Sequence, residues 1–128
     1  LPCNGGFVTA GLIEVQDPTS ALMQDEVFGP LLSFIVCANE PEMAALDNQS
    51  RFGLAAGVSS EALGQAQRLA RDLRTGTVWM NSHMRLFAEI ETGGYKESGI
   101  GRLHGVKGLD AFLQSKHVSW QAATHHQP

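Results

Sequence analysis

The sequence predicts an α/β fold, a mainly parallel sheet with flanking helices. Two observations carry that reading. Apolar and β-branched runs of strand length alternate along the chain with helical patterns, as a parallel sheet with crossover helices requires. The run L-L-S-F-I-V-C-A at 31–38 is also apolar at nearly every position, the pattern of a strand buried on both faces.

In chain order, F-V-T-A-G-L-I-E-V at 7–15 is expected to be a strand, closed by the Asp17-Pro18 turn. Gly29-Pro30 and Asn39-Glu40-Pro41 bound the second strand, 31–38. Pro41 suits the first turn of a helix, where its missing N–H would be unpaired anyway, and Met43, Ala44 and Leu46 continue that helix to Gln49. Phe52 to Ser59 returns to a glycine-punctuated strand pattern. From Ser60 the clearest helix begins: Ala62, Ala66, Leu69, Ala70 and Leu73 recur at helical spacing, with Gln65, Arg68, Arg71 and Arg74 between them and Gly76 as the expected stop. Thr77 to Asn81 reads as a short strand and 82–101 as a long loop, a length that is usually functional or disordered. Val106 to Leu113 is expected as a short helix and Lys116 to Trp120 as a last strand, followed by a polar tail.

A chain of 128 residues, 43% of them hydrophobic, is large enough for one globular domain. The net charge of -4 is spread over single residues, and no basic stripe exists to neutralise a phosphate backbone. Nucleic acid is thus not an expected partner. No run of 18 apolar residues and no basic leader followed by an apolar stretch is present, so the chain is expected to be soluble, cytoplasmic and free of the membrane. Cys3 and Cys37 are far apart and form no C-x-x-C pair, which favours reduced thiols. The opening Leu1-Pro2-Cys3-Asn4-Gly5-Gly6 reads as the middle of a loop, so the chain is expected to be part of a longer one.

Self-contained chemistry is hard to find. The loop G-G-Y-K-E-S-G-I-G-R at 93–102 lacks the Lys-Ser/Thr that a P-loop needs after its second glycine, and a dinucleotide fingerprint would place its third glycine at His104 rather than Gly105. A tight connection before a helix is the plainer reading. His83, His104, His117, His125 and His126 share no zinc-ligand spacing, and no G-x-S-x-G elbow exists. Cys37 lies within an apolar run, where a thiol is inert. No catalytic residue and no metal ligand is assigned. On residue type alone, Glu26 would cap a turn and Phe28 would fill core.

The ordered motifs E-V-F-G-P, F-G-L-A-A-G-V, T-G-T-V-W-M-N, G-G-Y-K-E-S-G-I-G-R, G-L-D-A-F and K-H-V resemble the C-terminal part of the NAD(P)-dependent aldehyde dehydrogenase superfamily, over about Gly6 to Val118. The resemblance implies an incomplete catalytic domain at 1–114 and an oligomerisation strand with a polar tail at 115–128. It also implies that Glu26 accepts hydrogen bonds from the nicotinamide ribose of NAD or NADP, while Phe28 packs beside the nicotinamide half. An ionised carboxylate offers several acceptor sites to a diol, and an aromatic face limits where a ring can swing. In the family a cysteine thiolate attacks the aldehyde and a glutamate base helps water release the acid. Both lie upstream of E-x-F-G-P, and neither Cys3 nor Cys37 matches the nucleophile.

The same resemblance puts Leu86 and Thr92 on the aldehyde tunnel, with Glu91 where proline is common and with Arg85, Glu89, Glu91 and His83 as candidates for tuning a charged substrate. The expected function is therefore a fragment of an enzyme that oxidises an aldehyde to a carboxylic acid. The isolated chain is expected to be inactive and to bind no cofactor tightly. Its expected partners are the rest of the enzyme or a second copy, and a small aldehyde. The alternative is a stand-alone oligomerisation or interaction module derived from that family.

Overall fold

The computed structural model describes residues 5–121. The elements run β1 (Gly11–Glu14), α1 (Ala21–Gln24), β2 (Leu31–Phe34), α2 (Glu40–Gln49), β3 (Phe52–Gly53), β4 (Ala55–Val58), α3 (Leu63–Asp72), β5 (Thr77–Met80), β6 (Tyr95–Lys96) and α4 (Lys107–Asp110). Strands β1 and β2 pair in parallel, as do β4 and β5, while the two-residue strands β3 and β6 pair antiparallel. The α/β class and the parallel pairing match the sequence expectation. They are realised as separate two-stranded pairs rather than one sheet.

The core sits where α3 lies on β4 and β5. Ala66, Leu69 and Leu73 come from one side of the helix and meet Val58, with Ala44 of α2, Ala56 and Val78 against them. That is the stripe read from the sequence, less Ala62, which is exposed and precedes the helix, and with the start moved from Ser60 to Leu63: residues three, four and seven apart face one way, and the arginines face water. Without a side-chain cap from Ala62, the helix start is held through Ser60, whose hydroxyl accepts from the Ala62 N–H and donates to Gln65. Helix α2 has the better cap, with the Asn39 side chain accepting from the Glu42 N–H at 3.0 Å. Asn48 then ties the two helix ends together, donating to the Asp72 carbonyl and accepting from the Arg74 N–H.

Several expectations are corrected. The first two strands are shorter than 7–15 and 31–38. Strand β2 is not buried on both faces: its residues alternate half-buried and exposed, with Leu32 65% accessible, because pairing with β1 covers its edge and leaves a face open. The expected strand from Phe52 to Ser59 breaks at Leu54, since Gly53 pairs with Tyr95 and Ala55 with Thr77. Helix α1 was not foreseen, although an Asp17 carboxylate accepting from both the N–H and the hydroxyl of Thr19 sets its approach. The short helix at 106–113 contracts to α4. The expected strand Lys116 to Trp120 is absent: residues 113–121 carry no regular structure, Trp120 is 89% exposed, and a strand needs a partner that no described element supplies. Cys3, His125 and His126 lie outside the described residues.

Gly76 does not stop α3, which ends at Asp72 with Leu73 already extended. Its role is close approach: a Cβ at Gly76 would land on the Gly93 carbonyl, so only two bare backbones can pass there. Gly76→Ala is therefore expected to lower the urea midpoint by the equivalent of about 1–3 kcal/mol. Gly57→Ala, whose added carbon meets only the His83 ring at 3.9 Å, is expected to change stability by less than about 0.5 kcal/mol.

Candidate functional site

The segment E-V-F-G-P turns between α1 and β2. The Asp25 N–H closes α1 on the Ala21 carbonyl, and two short bonds, Gly29 N–H to Val27 O and Leu31 N–H to Gly29 O, both 2.8 Å, fold the chain tightly into β2. This turn pushes its side chains outward. Phe28 is 96% exposed, so it fills no core. Among the described residues, the Glu26 carboxylate accepts no hydrogen bond, so it caps no turn. It lines instead an open hollow of about 440 Å³ with Phe52, Leu54, Glu97 and Ser98.

Three distant stretches meet there. Arg51, just before β3, donates to the Asp25 carboxylate at 3.2 Å and forms a looser ion pair with the Glu97 carboxylate at 3.6 Å, with its guanidinium 4.9 Å from the Phe52 ring centre. The backbone repeats the join: the Glu97 N–H donates to the Arg51 carbonyl, and the Gly53 N–H donates to the Ser98 hydroxyl at 3.0 Å. Lys96, at positive φ, spends its ammonium on the Asn48 and Ser50 carbonyls.

A second hollow, about 280 Å³, has Trp79, Arg85, Leu86, Phe87, Glu91 and Thr92 in its wall. The Trp79 indole N–H donates to the Arg85 carbonyl at 2.7 Å, with His83 edge-on to the indole, and this folds 81–86 back over β5. Asn81, in the left-handed region that asparagine tolerates, accepts from the Ser60 N–H and donates to the Ser60 carbonyl. On the far side Thr92 and Leu103 exchange backbone bonds of 2.9 and 2.7 Å, and the Thr92 hydroxyl meets His104 Nδ1 at 3.0 Å. Leu86 and Thr92 thus share one wall. Of the four charged residues singled out for tuning, Arg85 and Glu91 reach this hollow and His83 and Glu89 do not. The Glu26 hollow shares no lining residue with it.

A further hollow, about 460 Å³, lies elsewhere and holds none of the motif side chains. Met23, Ile35, Met43 and Leu46 make it mostly apolar, beside the free thiol of half-buried Cys37 and the carboxyl of Asp47, which burial pushes up against the opposing pull of Lys96. The glycine-rich loop at 93–102 gathers carbonyls rather than N–H groups: Arg102 donates to the Gly94 and Gly101 carbonyls at 3.0 and 2.8 Å and lies against Tyr95. That is a packed connection, as its spacing indicated. Sequence reasoning did not single out Arg51, an exposed loop arginine in no chemical motif.

Comparison with known proteins identifies what this arrangement belongs to. The model of the aldehyde dehydrogenase family matches residues 2–118. Betaine aldehyde dehydrogenase of Bacillus subtilis is 38% identical over 115 residues, 90% of this chain and 24% of that protein. Aldehyde dehydrogenase [NAD(P)+] 1 of Saccharomyces cerevisiae is 38% identical over 114 residues, 89% of this chain and 22% of its own length. The crystal structure of betaine aldehyde dehydrogenase from Staphylococcus aureus in complex with NAD+ superposes with a TM-score of 0.78 at 44% identity, covering 84% of this chain and 21% of that one. An α/β segment with these ordered motifs is an aldehyde dehydrogenase segment; the chain belongs to the aldehyde dehydrogenase family. It spans about a quarter of the length of the curated relatives it matches.

Glu91 carries a pH dependence. Its own N–H, then that of Lys107, hold its carboxyl below the ordinary carboxylate range, aided by the Lys107 charge and the Val106 N–H. A depressed carboxyl stabilises the fold above its unfolded value and loses that contribution as pH falls through its folded one. The stability difference between the wild type and Glu91→Gln in urea titrations is expected to be widest near neutrality and to close on acidification.

Proposed function

We propose that these residues serve as the C-terminal portion of the catalytic domain of an NAD(P)-dependent aldehyde dehydrogenase, with 1–114 in the domain and 115–128 as its assembly strand and tail. One observation carries this reading: three motifs far apart in sequence converge on the Glu26 hollow, through Phe52 and Leu54 of F-G-L-A-A-G-V and Glu97 and Ser98 of Y-K-E-S. A relative that the chain matches in fold was solved in complex with NAD+.

The residues fit such a cofactor. Glu26 keeps its acceptor oxygens unclaimed by described residues, as a ribose diol needs, and Phe28 keeps its ring faces open. When bound, NAD or NADP supplies a hydride acceptor. Glu26 orients the nicotinamide ribose, and Phe28 limits the swing of the nicotinamide half. Leu86 and Thr92 form part of the wall along which a small aldehyde approaches. The thiol that attacks the aldehyde and the carboxylate that activates water come, in this reading, from polypeptide outside residues 5–121. Cys37 faces a different hollow. By itself the segment is inactive and holds a cofactor weakly. Its partners are the remainder of the enzyme and a second copy, in a cytoplasmic setting that suits the free Cys37 thiol.

A second reading, an interaction module that assembles with longer subunits, draws on the exposed apolar residues, Phe28, Ile100, Phe112 and Trp120 among them. Co-purification of the isolated chain with a longer homologous subunit favours it.

In the holoenzyme, Glu26→Gln is expected to raise the KM for NAD about tenfold or more, since a hydrogen bond to a charged acceptor contributes about 1.5–3 kcal/mol. An unchanged KM would remove Glu26 from the cofactor site. The 128-residue chain assayed alone is expected to give no aldehyde-dependent NADH signal; such a signal would require a nucleophile within it.

A further inference from the structure

We infer that Arg51 is a positioning residue for the cofactor carboxylate Glu26, an inference that rests on the aldehyde dehydrogenase reading above. Three carboxylates crowd one corner: Asp25 and Glu26 are neighbours in the chain, and Glu26 and Glu97 line one hollow. Left to themselves, like charges at such range repel, and the turn that carries Asp25 and Glu26 has only short local backbone bonds to resist. Arg51 removes the conflict by taking Asp25 at 3.2 Å and Glu97 at 3.6 Å, from a base fixed by the Glu97 N–H on its own carbonyl and by the Phe52 ring under its guanidinium. A planar fork suits this task, since it can face two carboxylates at once.

The distribution of partners is informative. Arg51 occupies Asp25, the residue before Glu26, and Glu97, which lines the same hollow, and makes no ion pair with Glu26 itself among the described residues. Glu26 therefore lines the hollow with no ion partner among the described residues, an arrangement that leaves its oxygens open to accept from a diol. The pairs are half-exposed, with side-chain accessibilities of 49% for Arg51, 59% for Asp25 and 60% for Glu97, so each is weak and screened by salt. Arg51 thus tunes cofactor affinity without taking part in the chemistry.

The test uses the holoenzyme, with Arg51→Met, Arg51→Lys and Asp25→Asn, the last releasing the same tether from its other end. Arg51→Met is expected to raise the KM for NAD roughly threefold to tenfold, with kcat at saturating NAD moving less than about twofold. Arg51→Lys is expected to restore part of the loss, and Asp25→Asn to reproduce it. Added NaCl is expected to erode NAD affinity more in the wild type than in Arg51→Met, because only the wild type has a tether to screen. Combined with Glu26→Ala, the Arg51→Met effect is expected to vanish, since nothing is left to position.

Full additivity with Glu26→Ala, or an unchanged NAD KM in Arg51→Met while Glu26→Ala raises it, would overturn the inference and leave the enzyme reading intact. If neither Glu26→Ala nor Arg51→Met moves the NAD KM, the placement of the cofactor fails and the role of Arg51 with it.

Discussion

Everything else in this fold is referred to one packing contact, the apolar stripe of α3 on the parallel pair β4 and β5. Ala66, fully buried, marks where the helix comes closest to the strands, and Leu69 and Leu73 extend the contact over Val58 and Val78. Parallel strands cannot be joined by a tight turn, so a crossover of this kind has to lie between them. Once α3 is seated, both of its ends become fixed points. Its entry holds Ser60, on which Asn81 closes, and its exit holds Asp72 and Arg74, which Asn48 binds.

From those fixed points the two hollows are placed by backbone contacts rather than by core. Gly53 passes the Arg74 carbonyl and Gly76 passes Gly93 at distances that leave no room for a side chain, so the 93–102 loop is drawn against the ends of β3 and β5. Strand β6 then reaches β3, which brings Glu97 and Ser98 beside Phe52. A core of this size would not by itself set a loop so far from it. Glycines that permit backbone contact, with Arg51 and Arg102 gathering carboxylates and carbonyls, do that work.

How much of this could be read from the sequence depends on the range of the forces involved. The position of α3 was legible because its stripe is local and repeats, and α2 because Asn39 and Pro41 mark its start. Strands β3 and β6 were not, since two-residue strands exist only through a distant partner, Gly53 with Tyr95 and Phe52 with Lys96. The stretch expected as a strand at Lys116 takes no regular form within the single chain for the mirror reason: good strand residues with nothing described to pair with form no strand. The site divides in the same way. Glu26 and Phe28 were reached through the motif that contains them, and Leu86 and Thr92 through the segment between two motifs, but that Leu86 and Thr92 share a wall depends on the Trp79 indole bond to Arg85 and on the Thr92–Leu103 bridge. Arg51 carried no signal at all, because a loop arginine gains meaning only from the two carboxylates that folding brings to it.

The two hollows also differ in what they leave unspent, and that difference bears on selectivity. At the first, Arg51 takes the neighbouring carboxylates and leaves Glu26 without an ion pair among the described residues, so in the proposed reading recognition there is polar and directional. At the second the polar groups are already engaged: the Thr92 hydroxyl with His104, the Trp79 N–H with the Arg85 carbonyl, and the Glu91 carboxylate with backbone N–H groups at the start of α4. What remains in that wall is mostly apolar shape from Leu86, Phe87 and Ile90. Apolar walls discriminate between substrates by only about 1–3 kcal/mol per methylene. In the proposed aldehyde dehydrogenase reading such a wall sorts aldehydes by size and outline, and of the two charged side chains there Glu91 is held by a backbone N–H while the guanidinium of Arg85 has neither an ion pair nor a hydrogen bond among the described residues. In that reading a preference for charge at the second hollow rests first on Arg85, whereas at the first it rests on Glu26.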